Sequence, residues 1–273
     1  MLQEWLPILV ALLSTGLIAG VMAGLLGVGG GIVIVPALYL VFQSIGIEPS
    51  TAMLIATGTS LMTIVPTSIS SARAHHKRGN VDLSILKRWL VPMLIGVLLG
   101  GWIATRVEGF VLTAIFGCIA ILVALNMLFR ASAPPLYQQL PKPPIQAALG
   151  SGIGFFSVMM GIGGGTLGVP TMTAFNVATH RAVGTAALFG LVIALPGTLV
   201  MLFAGMTPLD APPGTFGFVN LPGFLVIVPM TTLMAPVGVK LGAKLDGATL
   251  KKAFALFLIL VGSRMIWQTF GAL

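Results

Sequence analysis

The chain has 273 residues, of which 57% are hydrophobic and 7% charged, where an ordinary globular chain carries roughly 25% charged residues. That composition excludes a soluble domain and marks an integral membrane protein of several spans. The net charge of +8 comes from basic residues lying between apolar segments, with no patch that interleaves them with aromatic rings, so it reads as membrane topology and not as nucleic-acid binding.

Leu6 to Leu26 is apolar without the positive flank of a cleaved signal, so it is expected to remain. Within it Gly16, Gly20 and Gly24 recur every fourth residue, the spacing that lets a second helix approach closely. Three consecutive glycines, Gly29, Gly30 and Gly31, follow, and Pro36 lies five residues on. Glycine and proline together predict a broken helix, with Ile32 to Ile45, about 14 residues, returning as a half-helix too short to span. Thr51 to Ala72 is the next segment. Thr59, Thr63 and Thr67 put hydroxyls on one face, with Ser60, Ser68, Ser70 and Ser71 beside them and Pro66 predicting a kink. Such a face either bonds its own helix carbonyls and glues helices together or lines a pathway.

Residues 73–88 read as a basic loop with five Lys or Arg against one Asp, and His75 and His76 in it as a solvated pair. Trp89 to Ala104 and Phe110 to Phe129 are spans, with Cys118 taken as a small core residue. Residues 131–146 form a proline-rich joint between 1–130 and 147–273.

The second part repeats the first. Gly150, Gly154, Gly161, Gly163, Gly164, Gly165 and Pro170 match Gly16, Gly20, Gly27, Gly29, Gly30, Gly31 and Pro36 at a constant offset of 134 residues. Spans are expected over Ala182–Phe203, Gly223–Val239 and Ala253–Phe270, the last holding Arg264 as a side chain that snorkels to the interface. The loop after the third element is basic in the first part and holds no Lys or Arg in the second, whereas four lysines lie between Lys240 and Lys252. This inversion of charge predicts two copies of opposite orientation, both termini on the non-cytoplasmic side of the cytoplasmic membrane, and twelve of the fourteen basic residues inside. Six spans plus two re-entrant hairpins and ten shorter crossings satisfy the parity equally.

The doubled pattern, Gly24-Leu25-Leu26-Gly27-Val28-Gly29-Gly30-Gly31 to Pro36 and Gly161-Ile162-Gly163-Gly164-Gly165 to Pro170, with ATGTS at 56–60 and THRAVGT at 179–185, resembles the sulfite exporter TauE/SafE family over nearly the whole chain. The resemblance implies transport of a small anion of sulfur or an organic acid. His180 and Arg181 precede Gly184, and no such pair precedes Gly58.

The residues themselves favour an anion. Amides freed where a half-helix starts carry partial positive charge, and paired helix breaks in two halves are the mark of a transporter's binding site. The expected site combines Gly29, Gly30, Gly31, Gly163, Gly164 and Gly165 with the hydroxyls of Thr57, Thr59, Ser60, Thr166 and Thr185. Arg181 would attract the anion at the cytoplasmic mouth, and His180 would carry any coupled proton. All six carboxylates fall in loops or at their edges. Export as a uniport would draw on about 2.3 kcal/mol per charge per 100 mV of potential. No cofactor, metal or enzymatic activity is expected. The expected partners are a small anion and the bilayer, with a homodimer left open. The competing readings are an importer or carrier of another small solute, a carboxylate or a cation, and a non-transporting membrane scaffold.

Overall fold

The computed structural model describes residues 2–129, 135–243 and 247–271, with side chains described over 6–129, 135–243 and 255–268. The protein is all-α and membrane-embedded. Its helices are α1 (Leu2–Leu26), α2 (Gly31–Ser44), α3 (Pro49–His76), α4 (Leu83–Ala104), α5 (Gly109–Phe129), α6 (Pro143–Met159), α7 (Gly165–Ala174), α8 (Thr179–Phe203), α9 (Leu221–Gly242) and α10 (Gly247–Gly271). Among the described residues six helices are long and apolar enough to cross a bilayer: α1 over Leu6–Leu26, α3, α4, α5, α8 and α9. The 21 residues of Leu6–Leu26 rise about 30 Å at 1.5 Å each, the depth of the hydrocarbon core. The first hairpin therefore has one full-length arm and one short arm, the 14-residue α2.

Small residues set the packing. A methyl on Gly16 would lie 2.8 Å from Met230 Cβ, and one on Gly20 2.6 Å from the Thr231 carbonyl, while Gly24 meets the Ala235 carbonyl and Val239. Residue numbers rise together along this seam, so α1 and α9 run parallel. The seam between α4 and α6 repeats the arrangement: Gly96 abuts the Ser151 carbonyl, a methyl on Gly100 would lie 2.6 Å from that of Phe155, and Gly154 abuts Met93. On α5 and α10, a methyl on Gly117 or on Gly262 would lie 3.0 Å from the other's carbonyl. By contrast α3 and α8 run antiparallel. Gly58 meets Met201, Leu61 meets Gly197 and Ser68 meets Gly190. The α3 helix is the most deeply buried of the six spans.

Several expectations change at the element ends. The basic stretch 73–88 is mostly helix. Arg73 to His76 continue α3, where cationic side chains suit the carbonyl end of a helix, and the loop is reduced to 77–82. Asp82 then starts α4 by accepting from the amides of Ser84 at 2.9 Å and Ile85 at 3.3 Å. His75 is buried, so it does not form a solvated pair with the exposed His76. Cys118 is exposed on the outer face of α5 and is no core residue. Pro143 and Pro144 open α6 inside the stretch read as a joint, since the first helical turn needs no proline N–H. THRAVGT forms the first turns of α8. Between α8 and α9 the chain makes a short hairpin, β1 (Thr215–Phe216) against β2 (Val219–Asn220). The Phe218 amide there donates to the Met201 carbonyl at 3.0 Å. Arg264 is exposed. Lys244, Lys251 and Lys252 of the expected basic run, and Arg130, lie outside the described side chains.

Candidate functional site

The two glycine breaks cross each other at the centre of the bundle. Gly31 abuts the Gly161 carbonyl, a methyl on Gly29 would sit 3.4 Å from Gly163 Cα, and Gly165 abuts the Gly27 carbonyl. Positions thus pair in opposite order, backbone against backbone, with the Ile64 side chain of α3 packed beside Gly29 and Gly31. Glycine is required on two counts. Gly30, which starts α2, holds φ 84, a left-handed conformation that a side chain resists, and a Cβ at Gly165 would collide with the opposing main chain. Each break also leans on a helix of the other half: Gly27 against the Val183 carbonyl of α8, and Gly161 with its added methyl 2.9 Å from the Thr57 carbonyl of α3.

At the start of α2 the Gly30 carbonyl accepts from the amides of Val33 and Ile34 at 3.0 and 3.1 Å, and at the start of α7 Gly168 donates to Gly164 at 2.8 Å. Among the described residues, the amides of Gly29, Gly30, Gly31, Gly163, Gly164 and Gly165 have no acceptor in hydrogen-bonding geometry. All six residues are buried. A buried donor without a partner costs about 1–3 kcal/mol, a penalty that an acceptor placed among these amides would relieve. Both half-helix starts add their dipoles in the same sense.

The hydroxyls divide into two groups. Thr57, fully buried, and Thr166, 2% exposed, have Oγ1 atoms without any partner. Ser68 and Ser157 are in the same condition. Ser157 was not expected. Its signal was faint: it is a single polar residue in an apolar run, at the position where the first half has Ala23. The other hydroxyls are engaged. Ser60 donates to the Gly161 carbonyl at 2.7 Å and so anchors the second break. Thr59 Oγ1 accepts from the Asn220 amide at 2.8 Å, and Thr185 Oγ1 accepts from the Asp82 amide at 2.9 Å. Asn220 and Asp82 are in turn the caps of α9 and α4. Thr63 and Thr67 donate to their own i−4 carbonyls, while Ser70 donates to Thr232 and joins α3 to α9.

His180 and Arg181 are exposed on the first turn of α8. Arg181 pairs with Asp82 at 2.7 Å, with the arginine side chain 58% exposed and the aspartate 13%. The Ser84 hydroxyl, above all, holds the Asp82 carboxyl below its ordinary range, the amides of Ile85 and Ser84 and the Arg181 guanidinium adding to it against partial desolvation. Among the described residues no three His, Cys, Asp or Glu side chains gather to hold a metal ion.

Chemically, the centre of the bundle offers main-chain donors and neutral hydroxyls around a buried crossing of two helix starts. No charged side chain is among the groups described there, so an anion would be held without being neutralised.

Comparison with known proteins agrees with an embedded carrier. Residues 12–265 match the sulfite exporter TauE/SafE family. A probable membrane transporter protein of Haemophilus influenzae is 34% identical over 253 residues, covering 93% of this chain and 96% of that one. The probable membrane transporter protein YunE of Bacillus subtilis is 28% identical over 278 residues, covering 95% and 97%. A probable membrane transporter protein of Methanocaldococcus jannaschii is 24% identical over 270 residues, covering 96% and 97%. No solved structure matches the chain. The glycine breaks lie within the matched span, and the chain belongs to the sulfite exporter TauE/SafE family of membrane transporters.

Proposed function

We propose that this transporter exports a small sulfur-containing anion, sulfite or an organosulfonate such as sulfoacetate, held at the crossing of the two glycine breaks. The observation that carries the reading is the set of six buried break amides without acceptors beside the unpartnered hydroxyls of Thr57 and Thr166. Tetrahedral oxyanions accept several N–H bonds at once, and half-helix starts favour negative charge. A potential negative inside drives such an anion outward.

The mechanism is alternating access of two copies of opposite orientation. Matched contacts support that relation. Gly58 meets the Phe218 carbonyl and Gly184 the Asn80 carbonyl, while Thr59 and Thr185 each accept from the cap residue of a helix in the other half. The helices that carry these pairs, α3 and α8, run antiparallel, as an axis in the membrane plane requires. Val183 packs against Gly27 and Thr57 against Gly161, one on each break.

The test is thermal stabilisation of the purified protein by sulfite, sulfate, sulfoacetate, taurine, thiosulfate, acetate and divalent cations, followed by efflux from proteoliposomes under an inside-negative potential. A ligand that binds only the folded state raises its melting temperature. Selective stabilisation by a sulfur oxyanion or sulfonate, with efflux of the same compound, is the expected result. Stabilisation by a divalent cation alone refutes the amide site.

A further inference from the structure

Side-chain bonds between helices sort the bundle into two bodies that do not follow the two halves of the sequence. In the first, α3 is tied to α9 by Thr67 and Thr231, whose hydroxyl oxygens lie 2.7 Å apart, and by Ser70, which donates to the Thr232 carbonyl at 2.8 Å. It is tied to α1 by Ser71, which donates to the Ala23 carbonyl at 3.2 Å, and by His75, whose Nε2 lies 3.0 Å from the Gly24 carbonyl. The glycine seam of α1 on α9 closes this triangle. Against it sits α2: a methyl on Gly30 would lie 2.9 Å from the Ala19 carbonyl of α1, and one on Gly223 of α9 would lie 3.5 Å from Leu38 of α2. In the second body α6 is tied to α4 by Ser151, donating to the Pro92 carbonyl at 2.9 Å, and by the Trp89 indole, donating to Gln146 Oε1 at 3.1 Å. Trp89 stacks on Phe189 of α8 with ring centroids 5.7 Å apart, and Phe189 packs on Gly164 and Gly168 where α7 starts. Each body thus holds one glycine break and borrows one helix from the other half, α9 in the first and α4 in the second. The helices α5 and α10 pack on each other and belong to neither.

Between the bodies such bonds are scarce. Among the described residues their helices and breaks share one side-chain hydrogen bond, from Ser60 to the Gly161 carbonyl. The α3–α8 seam sets small residues against apolar ones, Leu61 on Gly197 and Met201 on Gly58, and the Ser68 hydroxyl that points toward Gly190 is buried without a partner. Helices packed in this way can slide without exchanging hydrogen bonds, which is the requirement of a shear motion. Two connectors cross from body to body, and each changes its attachment within two residues. The Asn80 amide donates to the His75 carbonyl of α3 at 3.1 Å, and that of Asp82 to Thr185 of α8 at 2.9 Å. The Phe218 amide donates to the Met201 carbonyl of α8 at 3.0 Å, and that of Asn220 to Thr59 of α3 at 2.8 Å. Val81 and Val219 lie between these anchors, each one residue ahead of the cap of its helix, α4 or α9. Hinges are of this kind, a few residues at the end of an element.

We propose that transport moves α1, α2, α3 and α9 as one rigid body against α4, α6, α7 and α8 as the other, hinged at Val81 and Val219 and sheared along the α3–α8 seam. The sequence halves are not the moving parts. Because each break belongs to a different body, the same motion parts the two breaks. This rests on the transport reading above.

The test joins helices by disulfides in the full-length Cys118→Ala protein, with efflux of sulfite and sulfoacetate from proteoliposomes as the readout. A methyl on Gly190 would lie 3.4 Å from Ser68 Cβ, close to the Cβ spacing of about 3.5–4.5 Å in a disulfide, so Ser68→Cys with Gly190→Cys links the bodies. Gly101→Cys with Val200→Cys, and Gly150→Cys with Pro92→Cys, have the same 3.4 Å spacing inside the second body. Oxidation of the cross-body pair is expected to abolish efflux and reduction to restore it, while both in-body pairs carry efflux in either state. Efflux that persists through the closed link between positions 68 and 190 overturns the proposal, as does a loss in either in-body pair that reduction reverses. Should the reduced cross-body pair be inactive or fail to fold, spin labels at exposed positions decide: Leu17 on α1 with Leu233 on α9, Val91 on α4 with Phe156 on α6, and Leu233 with Leu195 on α8. The first two distances should stay fixed when sulfite or sulfoacetate is added and the third should change; a change inside a body, or none between bodies, overturns the proposal. If the Cys118→Ala protein moves neither compound, the transport reading fails and this partition with it; efflux that survives the cross-body link leaves that reading standing and refutes the partition alone.

Discussion

Gly163→Ala probes the crossing at its midpoint. Gly163 has no positive φ, so alanine suits the local backbone. The added methyl would lie 2.6 Å from the Val28 carbonyl oxygen and 3.2 Å from Gly29 Cα. Those neighbours are main chain and cannot swing aside, so the two breaks must part by about 0.8 Å to reach the 3.4 Å of ordinary contact. Overpacking of this kind costs about 1–3 kcal/mol of stability. The larger effect falls on the site. An amide displaced by that much no longer makes a bond of about 2.9 Å to a shared anion, and each lost bond to a charged ligand is worth about 1.5–3 kcal/mol, or about 10- to 150-fold in affinity. The assay is anion-induced stabilisation together with efflux from proteoliposomes, against Gly152→Ala on α6. There the new methyl meets nothing within 4 Å, so folding and transport should persist. A folded Gly163→Ala protein with wild-type affinity and flux would refute the placement of the site at the crossing.

Three further outcomes follow from the same geometry. Thr57→Val and Thr166→Val remove hydroxyls that have no partner in the unliganded protein. Each should leave its melting temperature unchanged or raised and weaken anion binding by about 2- to 13-fold, the worth of one neutral hydrogen bond. Asp82→Ala should lower stability by about 0.5–2 kcal/mol through the lost cap of α4, the exposed Arg181 pair adding little. Because the folded carboxyl is held below its unfolded value near 3.9, the difference between wild type and variant should hold at neutral pH and shrink as pH falls through the depressed folded value; a gap that widened in acid would contradict the assignment. In a Cys118→Ala background, cysteines at Ser50 and Thr207 should react with an impermeant reagent from the non-cytoplasmic face, and labelling from the cytoplasm would contradict the inverted arrangement.

The helix breaks, the short arm and the matched glycines were legible because glycine and proline act on the residue that carries them. The crossing was not. Gly29 and Gly163 meet through main-chain atoms 134 positions apart, and no side-chain pattern encodes which backbone faces which. Thr59 and Thr185 were recognisable as polar groups at the centre, yet their engagement with the amides of Asn220 and Asp82 depends on where two distant helices begin. His75 was misread for a physical reason. Its neighbours Arg73, Lys77 and Arg78 suggest solvent, but a helix end has a covered side as well as an open one, and one turn of α3 carries both. Cys118 failed in the opposite way: in a bilayer an apolar run does not imply an interior position, because lipid accepts the outer face.

The seam between α1 and α9 bears on how the protein is made. The stripe of Gly16, Gly20 and Gly24 has its partner on α9, which starts at Leu221, about 200 residues later. At about 5–20 residues per second of synthesis, the first helix waits roughly 10–40 s in the bilayer before its seat exists. During that interval its notch of exposed main chain is filled by lipid or by whatever holds newly inserted helices. A ribosome stalled before α9 would leave this notch open to solvent lipids and foreign helices, so truncated chains should be the form most readily captured by the quality-control proteases of the membrane.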